Sequence, residues 1–463
     1  MLLLIRNAAL LLLVTLFVPI PVQGQEAPLE LTRLPAPIVV DGRLDDEAWQ
    51  QVPTLPMTMY LPVFNGVPTQ RTELRVAYDD EFFYVGGWFY DTDPSGIRIN
   101  SLYRDRWIGD DALAIYIDAF NDNQNAKWFG TTPGGIRFDL LVSDDGNTTN
   151  DNWDTFWTSK TSVTSEGWFA EVRIPFSSLG FQVGPDDRAV MGLTVTRLVS
   201  RLNERVTFPA IDPKFPFRRP SSARDVSMRG VRTKTPFYVT PYALAGGSRQ
   251  NRISHGGGLE RVRDAARDVG VDARYPLSSR LTLDMTVNTD FAHVEADDQQ
   301  VALDRFPLFF PERRRFFQEG SSIFDFTGAG GARLFHSRRI GLTPAGTPVT
   351  ILGGARMVGK AGAWDVGFLD VQTDDEGDLP GENFGVLRLR RPVLNPWSTA
   401  GLMATTYYGG GRHNLALGAD TSLRVHGDEY VGLRWAATVD DNERASAGLG
   451  SRSFIDAKWE RRT

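Results

Sequence analysis

The most constraining feature of this sequence is a two-residue alternation that recurs through its second half. Val269, Val271, Ala273 and Tyr275 alternate with Asp268, Gly270, Asp272 and Arg274. Leu281, Leu283, Met285, Val287, Thr289 and Phe291 alternate with Thr282, Asp284, Thr286, Asn288 and Asp290. The spacing returns in Leu415, Leu417, Ala419, Thr421 and Leu423, and again in Val431, Leu433, Trp435, Ala437 and Val439. A period of two puts successive side chains on opposite faces of a strand, so each segment reads as a ribbon with one apolar and one polar side. These ribbons run close to the roughly 9–11 residues that a tilted strand needs to cross a bilayer. Lipid outside and a polar lumen inside would suit them, as would a large soluble sheet with one wet face. Strand length, strand number and the leader described next favour the membrane. Residues 233–463 are therefore expected to form part of a transmembrane-type β-barrel. The chain stops at Trp459-Glu460-Arg461-Arg462-Thr463, just after a strand-like segment, so the barrel is expected to be incomplete here.

Residues 1–24 read as a secretory signal: one cation, Arg6, an apolar stretch over 8–18, then Val22 and Gly24 before Gln25. No later run is long and apolar enough for a helical span, so any membrane contact must come from strands or a surface. Lys and Arg number 50 against 57 Asp and Glu, a net charge of −7, which argues against a nucleic-acid partner. The absence of Cys excludes disulfides, thiolate metal sites, cysteine nucleophiles and a lipid carried on an N-terminal cysteine.

Residues 25–232 have a different grammar. Short apolar runs at 74–78, 82–90, 112–118, 169–174 and 190–197 are separated by Gly, Pro, Asn and Asp, which predicts an antiparallel β-sandwich. Residues 45–51 predict a single helical turn with Ala48 and Trp49 facing inward.

Four segments in order carry a resemblance. Ile38-Val39-Val40-Asp41-Gly42-Arg43-Leu44-Asp45-Asp46-Glu47-Ala48-Trp49 resembles the opening strand of family 9 carbohydrate-binding domains. Residues 74–90, running into Asp91-Thr92-Asp93-Pro94, resemble that family's next strand pair. Trp107-Ile108-Gly109-Asp110-Asp111-Ala112-Leu113-Ala114-Ile115-Tyr116-Ile117-Asp118 resembles its central strand, and Gly167-Trp168-Phe169-Ala170-Glu171-Val172-Arg173-Ile174-Pro175-Phe176 its late strand. The second half is similar to an uncharacterised family of bacterial outer-membrane barrels that carry such a domain at their N-terminus. The stretch Phe306-Pro307-Leu308-Phe309-Phe310-Pro311-Glu312-Arg313-Arg314-Arg315-Phe316-Phe317-Gln318-Glu319-Gly320 carries that likeness. Together they imply export to a Gram-negative outer membrane, with the sandwich in the periplasm or at the surface, and outer-membrane lipid and a poly- or oligosaccharide as partners. Protein partners are not indicated.

Sugars present C–H faces to aromatic rings and hydroxyls to Asp, Asn, Arg and Gln. The resemblance places a stacking ring at Trp107 and a hydroxyl-binding guanidinium at Arg137, with Phe208 nearest to a second platform. Asp110 and Asp111 lie beside Trp107, and Trp153 and Trp157 flank Asp154 as possible groove walls. One departure is Ala114, where the family carries an acid inside the central strand. The amide- and acid-rich loops at 121–123, 144–147 and 150–152 offer oxygens of the kind calcium takes, but lack EF-hand spacing, and solvated turns are the expected reading. No cofactor is otherwise indicated. The Arg313-Arg314-Arg315 and Arg338-Arg339 runs are expected to pair with acids such as Glu312 and Glu319. His-Glu-x-x-His, Gly-x-Ser-x-Gly and phosphate-cradling glycine motifs are missing, and a glycoside hydrolase follows only from association with xylanase-type modules. The expected function is glycan recognition or uptake at the envelope. The alternative is a barrel whose sandwich is a docking or assembly domain.

Overall fold

The computed structural model describes residues 26–36, 38–151, 153–231, 237–253, 259–278, 281–289, 312, 314–318, 320–328, 331–343, 348–377, 379–427, 429–440 and 452–461. The expected leader and Phe306-Pro307-Leu308-Phe309-Phe310-Pro311, Arg313 and Glu319 lie outside these residues.

The strand Ala112–Asp118 is buried along its whole length, at the centre of the first half. Its alternate side chains serve two clusters. Leu113, Ile115 and Ile117 enter the core between two sheets, while Ala112, Ala114 and Tyr116 join a cluster on the opposite face. Its sheet runs Leu29–Glu30, Arg224–Arg229, Arg188–Val199, Ala112–Asp118, Ala126–Thr131, Arg137–Ser143 and Thr148–Asn150, with Glu204–Phe208 and Thr58–Leu61 as a branch. The facing sheet runs Thr158–Thr164, Gly167–Pro175, Phe82–Tyr90, Thr72–Tyr78 and Thr32–Arg33. Between them, Trp168 stacks on Phe89 at 4.2 Å between ring centroids. Each large apolar side chain fully buried here contributes about 1.5–3 kcal/mol.

Two pairings depart from the expected antiparallel sandwich. Leu29–Glu30 pairs in parallel with Arg224–Arg229, and Thr32–Arg33 in parallel with Thr72–Tyr78. The first segment crosses from one sheet to the other at Leu31, which is buried between them. The predicted helical turn forms at Glu47–Gln50, with Trp49 buried. Glu171 explains why the opening and late segments of the sandwich belong together. Its carboxylate accepts hydrogen bonds from Trp49 Nε1 (3.0 Å), Asp41 N (2.8 Å) and Gly42 N (2.8 Å). Gly42 sits at φ +87°, where an added Cβ would meet the Thr161 backbone nitrogen at 3.0 Å.

The second half is a ten-stranded sheet in strict chain order: Tyr238–Ile253, Leu259–Pro276, Leu281–Val287, Ile351–Ala361, Trp364–Thr373, Glu382–Val393, Asn395–Gly409, Arg412–His426, Glu429–Asp440 and Ser453–Arg461. Every neighbouring pair is antiparallel. The sheet is open, since its first and last strands do not pair with each other among the described residues. The alternation read from the sequence becomes two physically different faces. Outward stand Val269 (69% exposed), Leu402 (57%) and Trp459 (69%), with Phe368, Leu417, Leu433 and Ile455 also exposed. Inward stand ion pairs: Arg356 Nη1 with Asp284 (3.1 Å), Arg388 Nη2 with Asp420 (2.9 Å) and Arg390 Nε with Asp365 (3.1 Å).

A covering segment, residues 314–318, 320–328 and 331–342, packs on this inward face through Phe316, Phe317, Phe324, Phe326 and Ile340, which meet Val358, Leu369 and Met403 of the sheet. The inward arginines hold it by its carbonyls: Arg356 Nη1 donates to Phe316 O (2.9 Å) and Arg388 Nε to Ile323 O (3.2 Å). Glycines make the room. A Cβ at Gly418 would lie 2.5 Å from Leu334 and 2.8 Å from Phe326. Arg314 pairs with Glu312 through Nε and Nη2 at 2.9 and 2.8 Å, as expected for this basic run.

Candidate functional site

Arg137 opens the strand Arg137–Ser143, and the two-residue period decides which partners it has. Arg137 lies on the same face as Asp139, with its guanidinium 5.8 Å from the Trp157 ring centroid and donating to the Trp157 carbonyl. Phe138 points the other way. Trp107 stacks on Phe138, 5.9 Å between centroids and 3° between planes, and its Nε1 donates to Asp110 O at 3.0 Å. Trp107 and Arg137 therefore stand on opposite faces of one sheet and cannot hold the same sugar.

The other expected site residues are occupied by the fold. Phe208, Trp153 and Trp157 are buried in the inter-sheet core, with Trp157 edge-on to Phe129 at 5.5 Å. The rings of Phe208 and Trp153 pack in that core, while Trp157, though buried, also lines the cavity described below. Asp110 is fully buried and accepts from Ser101 N (3.2 Å) and Ile108 N (3.0 Å), so it builds the turn before the central strand. Asp111 accepts from Ser200 N at 2.9 Å, and burial raises its pKa. The loops considered for calcium close on themselves. Asp118 accepts from Asp122 N (3.1 Å) and Asn123 N (2.7 Å), and Asp122 from Gln124 N and Asn125 N (2.8 Å each). Asp145 is buried rather than solvated, held by Arg219 Nε and Ser221 Oγ at 2.8 Å each. Asn152 lies outside the described residues.

What the fold does bring together is a cavity of about 630 Å³ where the sandwich meets the ten-stranded sheet. From the sandwich come Arg137, Arg173, Phe82 and Phe156, the last 68% exposed. From the sheet come Thr240, Tyr242 and Asp272, and Arg314 and Arg315 come from the covering segment. Arg104 also lines it, surrounded by three carboxylates: Asp105 (3.1 Å), Asp139 (2.5 Å) and Asp154 (2.5 Å). These acids are close enough to share a cation, and the Arg104 guanidinium meets that need. Burial raises Asp139 to about 6 despite the Arg104 charge and the hydrogen bond from Thr155 N at 2.7 Å. Aromatic edges, guanidiniums, carboxylates and hydroxyls in one half-enclosed space are the chemistry that recognises a sugar ring and its hydroxyls. Sequence reading found Arg137 and Trp157. It missed Arg104, Phe156 and Arg173, because nothing in the sequence says which loop faces the second half.

Residues 40–202 match the family model described as carbohydrate family 9 binding domain-like, and residues 238–358 match a domain of unknown function, DUF5916. No curated protein matches the chain. Among solved structures, a family 9 carbohydrate-binding module from Caldicellulosiruptor kristjanssonii in complex with glucose is 15% identical, covering 45% of this chain and 98% of its own, at a TM-score of 0.30. Its complex with cellotriose matches at 16% identity, 45% and 100% coverage and a TM-score of 0.30. An anion-selective porin from Comamonas acidovorans matches at 9% identity, covering 75% of this chain and 92% of its own, with a TM-score of 0.26. The chain is thus similar over residues 40–202 to carbohydrate family 9 binding domains, and over residues 238–358 to the DUF5916 family.

Proposed function

We propose that this protein binds an oligosaccharide at the outer membrane of a Gram-negative cell, with the ten-stranded sheet in lipid and the junction cavity as the binding site. One observation carries the reading. The sheet exposes large apolar side chains on its outward face, and its inward face, with ion pairs set among buried apolar side chains, lies on the side of the cavity that Arg137, Phe82 and Phe156 of the sandwich line. An apolar face this extensive suits hydrocarbon rather than water. The match of residues 40–202 to carbohydrate family 9 binding domains supports the sugar. Uptake across the envelope is the role that such a junction would serve.

Isothermal titration calorimetry of the full chain in detergent micelles, with cello- and xylo-oligosaccharides, tests this. We expect saturable heat that weakens roughly tenfold or more in Arg137→Ala, the scale of a lost charged hydrogen bond of about 1.5–3 kcal/mol. Absence of heat with any glycan defeats it. Release of reducing sugar during the titration would instead point to hydrolysis.

A second reading has its own observation. Sandwich and sheet half are stitched directly, with Ser322 Oγ donating to Asn125 Oδ1 at 3.2 Å and Lys360 Nζ 3.8 Å from Asp122. A sandwich that serves only to dock would keep these contacts and show no sugar response.

A further inference from the structure

Among the described residues the wall of the junction cavity presents more guanidiniums than carboxylates, the latter being Asp154 and Asp272, and its acids gather around Arg104 and leave the rest of the wall cationic. Five guanidiniums line it: Arg104, Arg137, Arg173, Arg314 and Arg315. Two are spoken for, Arg104 by Asp105, Asp139 and Asp154, and Arg314 by Glu312. Among the described residues no carboxylate pairs with the other three. Arg137 spends one donor on the Trp157 carbonyl. Arg173 lies 4.7 Å from the Phe82 ring centroid, and its Nε is buried without a hydrogen-bond partner. Arg315 is exposed at the cavity wall. Against these three stands Asp272, the lining carboxylate not engaged with Arg104, which accepts from Thr286 Oγ1 at 2.5 Å. A neutral sugar needs no such group of guanidiniums without carboxylate partners, because hydroxyls are bound as well by amides and carboxylates. Guanidiniums with free forks select carboxylates and sulfate esters, which they bind by paired charge-assisted hydrogen bonds.

We propose that the ligand of this cavity is an acidic oligosaccharide, its anionic group held between Arg137, Arg173 and Arg315 while its ring lies along Phe82 and Phe156. This rests on the carbohydrate-binding reading above and names the class of glycan.

The test is calorimetric titration of the full chain in uncharged detergent with three saccharides of equal length: an oligogalacturonate, a sulfated oligosaccharide and a neutral cello-oligosaccharide. At low ionic strength at least one acidic ligand is expected to bind about tenfold or more tightly than the neutral one, with the advantage shrinking as salt is added. Whichever acidic ligand binds better identifies carboxylate or sulfate as the group recognised. Arg315→Gln, at an exposed position, is expected to remove most of the advantage. Arg137→Lys, which keeps the charge and a donor for the Trp157 carbonyl, is expected to retain part of it. Equal or tighter binding of the neutral glycan overturns the acidic assignment and leaves carbohydrate binding standing. Silence with all three ligands overturns both. An acidic preference unchanged in Arg315→Gln and Arg137→Gln moves the site elsewhere and also overturns the assignment.

Discussion

The two halves of this molecule use one strand period to opposite ends. In the sandwich, inward alternation sends Leu113, Ile115 and Ile117 into a dry core, and Arg197, which enters it, is held through its two terminal nitrogens: it donates to Arg71 O (3.0 Å), Thr72 Oγ1 (2.7 Å) and Tyr90 O (2.8 Å). Burial lowers Arg197 to about 10, the cost of holding a charge there. In the ten-stranded sheet an apolar set such as Phe368, Leu402 and Leu433 is turned away from the covering segment, while the face toward it mixes Arg–Asp pairs with apolar side chains such as Val358, Leu369 and Met403. The same alternation thus reports a fold's surroundings only when it is known which side is covered. Apolar side chains go to whichever neighbour lacks water, whether a facing sheet or a bilayer.

The comparison can be broken at four points. The largest effect belongs to the dry core: Trp168→Ala is expected to cost about 3–5 kcal/mol, read as a drop in the unfolding midpoint of the sandwich. Next comes the outward face of the sheet. Leu402→Arg, at a side chain 57% exposed, is expected to cost about 2–4 kcal/mol for refolding into lipid vesicles. A cost within about 0.5 kcal/mol, the ordinary value at a wet surface, would return this sheet to water.

A smaller, pH-dependent effect sits at the cavity. Asp139, raised to about 6, binds a proton in the folded protein at pH values where the unfolded carboxyl has lost it. Its contribution is therefore fully present below the ordinary carboxylate range and is lost as pH rises through about 6, by roughly 3 kcal/mol at most. Asp139→Asn should remove this dependence, so the stability of wild type relative to the variant should fall across that window; a flat difference would refute it. The smallest effect is at Trp107. Since it stacks on Phe138, away from Arg137, Trp107→Ala is expected to change glycan affinity less than about twofold, well under the 1.4 kcal/mol of a tenfold change. Abolished binding would relocate the site to that face.

Much of the architecture is legible in the residues. The strands Phe82–Tyr90 and Ala112–Asp118 coincide with their apolar runs. The alternating segments at 415–423 and 431–439 fall within Arg412–His426 and Glu429–Asp440 in the expected phase. The site was legible at Arg137 and Trp157. Trp153 and Phe208 looked available because aromatic residues read alike in a sequence whether they fill a core or meet a ligand. The turn-building role of Asp110 was hidden for a similar reason, since a carboxylate's acceptors become visible only when backbone amides converge on it.

What the sequence determined by itself is local: the strand period, the apolar runs, the lack of cysteine chemistry, and the short segments that meet at Glu171. What the tertiary structure decided is which face of each strand is covered and which loops oppose one another. The cavity draws its wall from residues as distant in the chain as Phe82 and Arg315. Such a juxtaposition depends on how two sheets pack, and packing is set by the summed shape of many side chains rather than by any spacing along the chain.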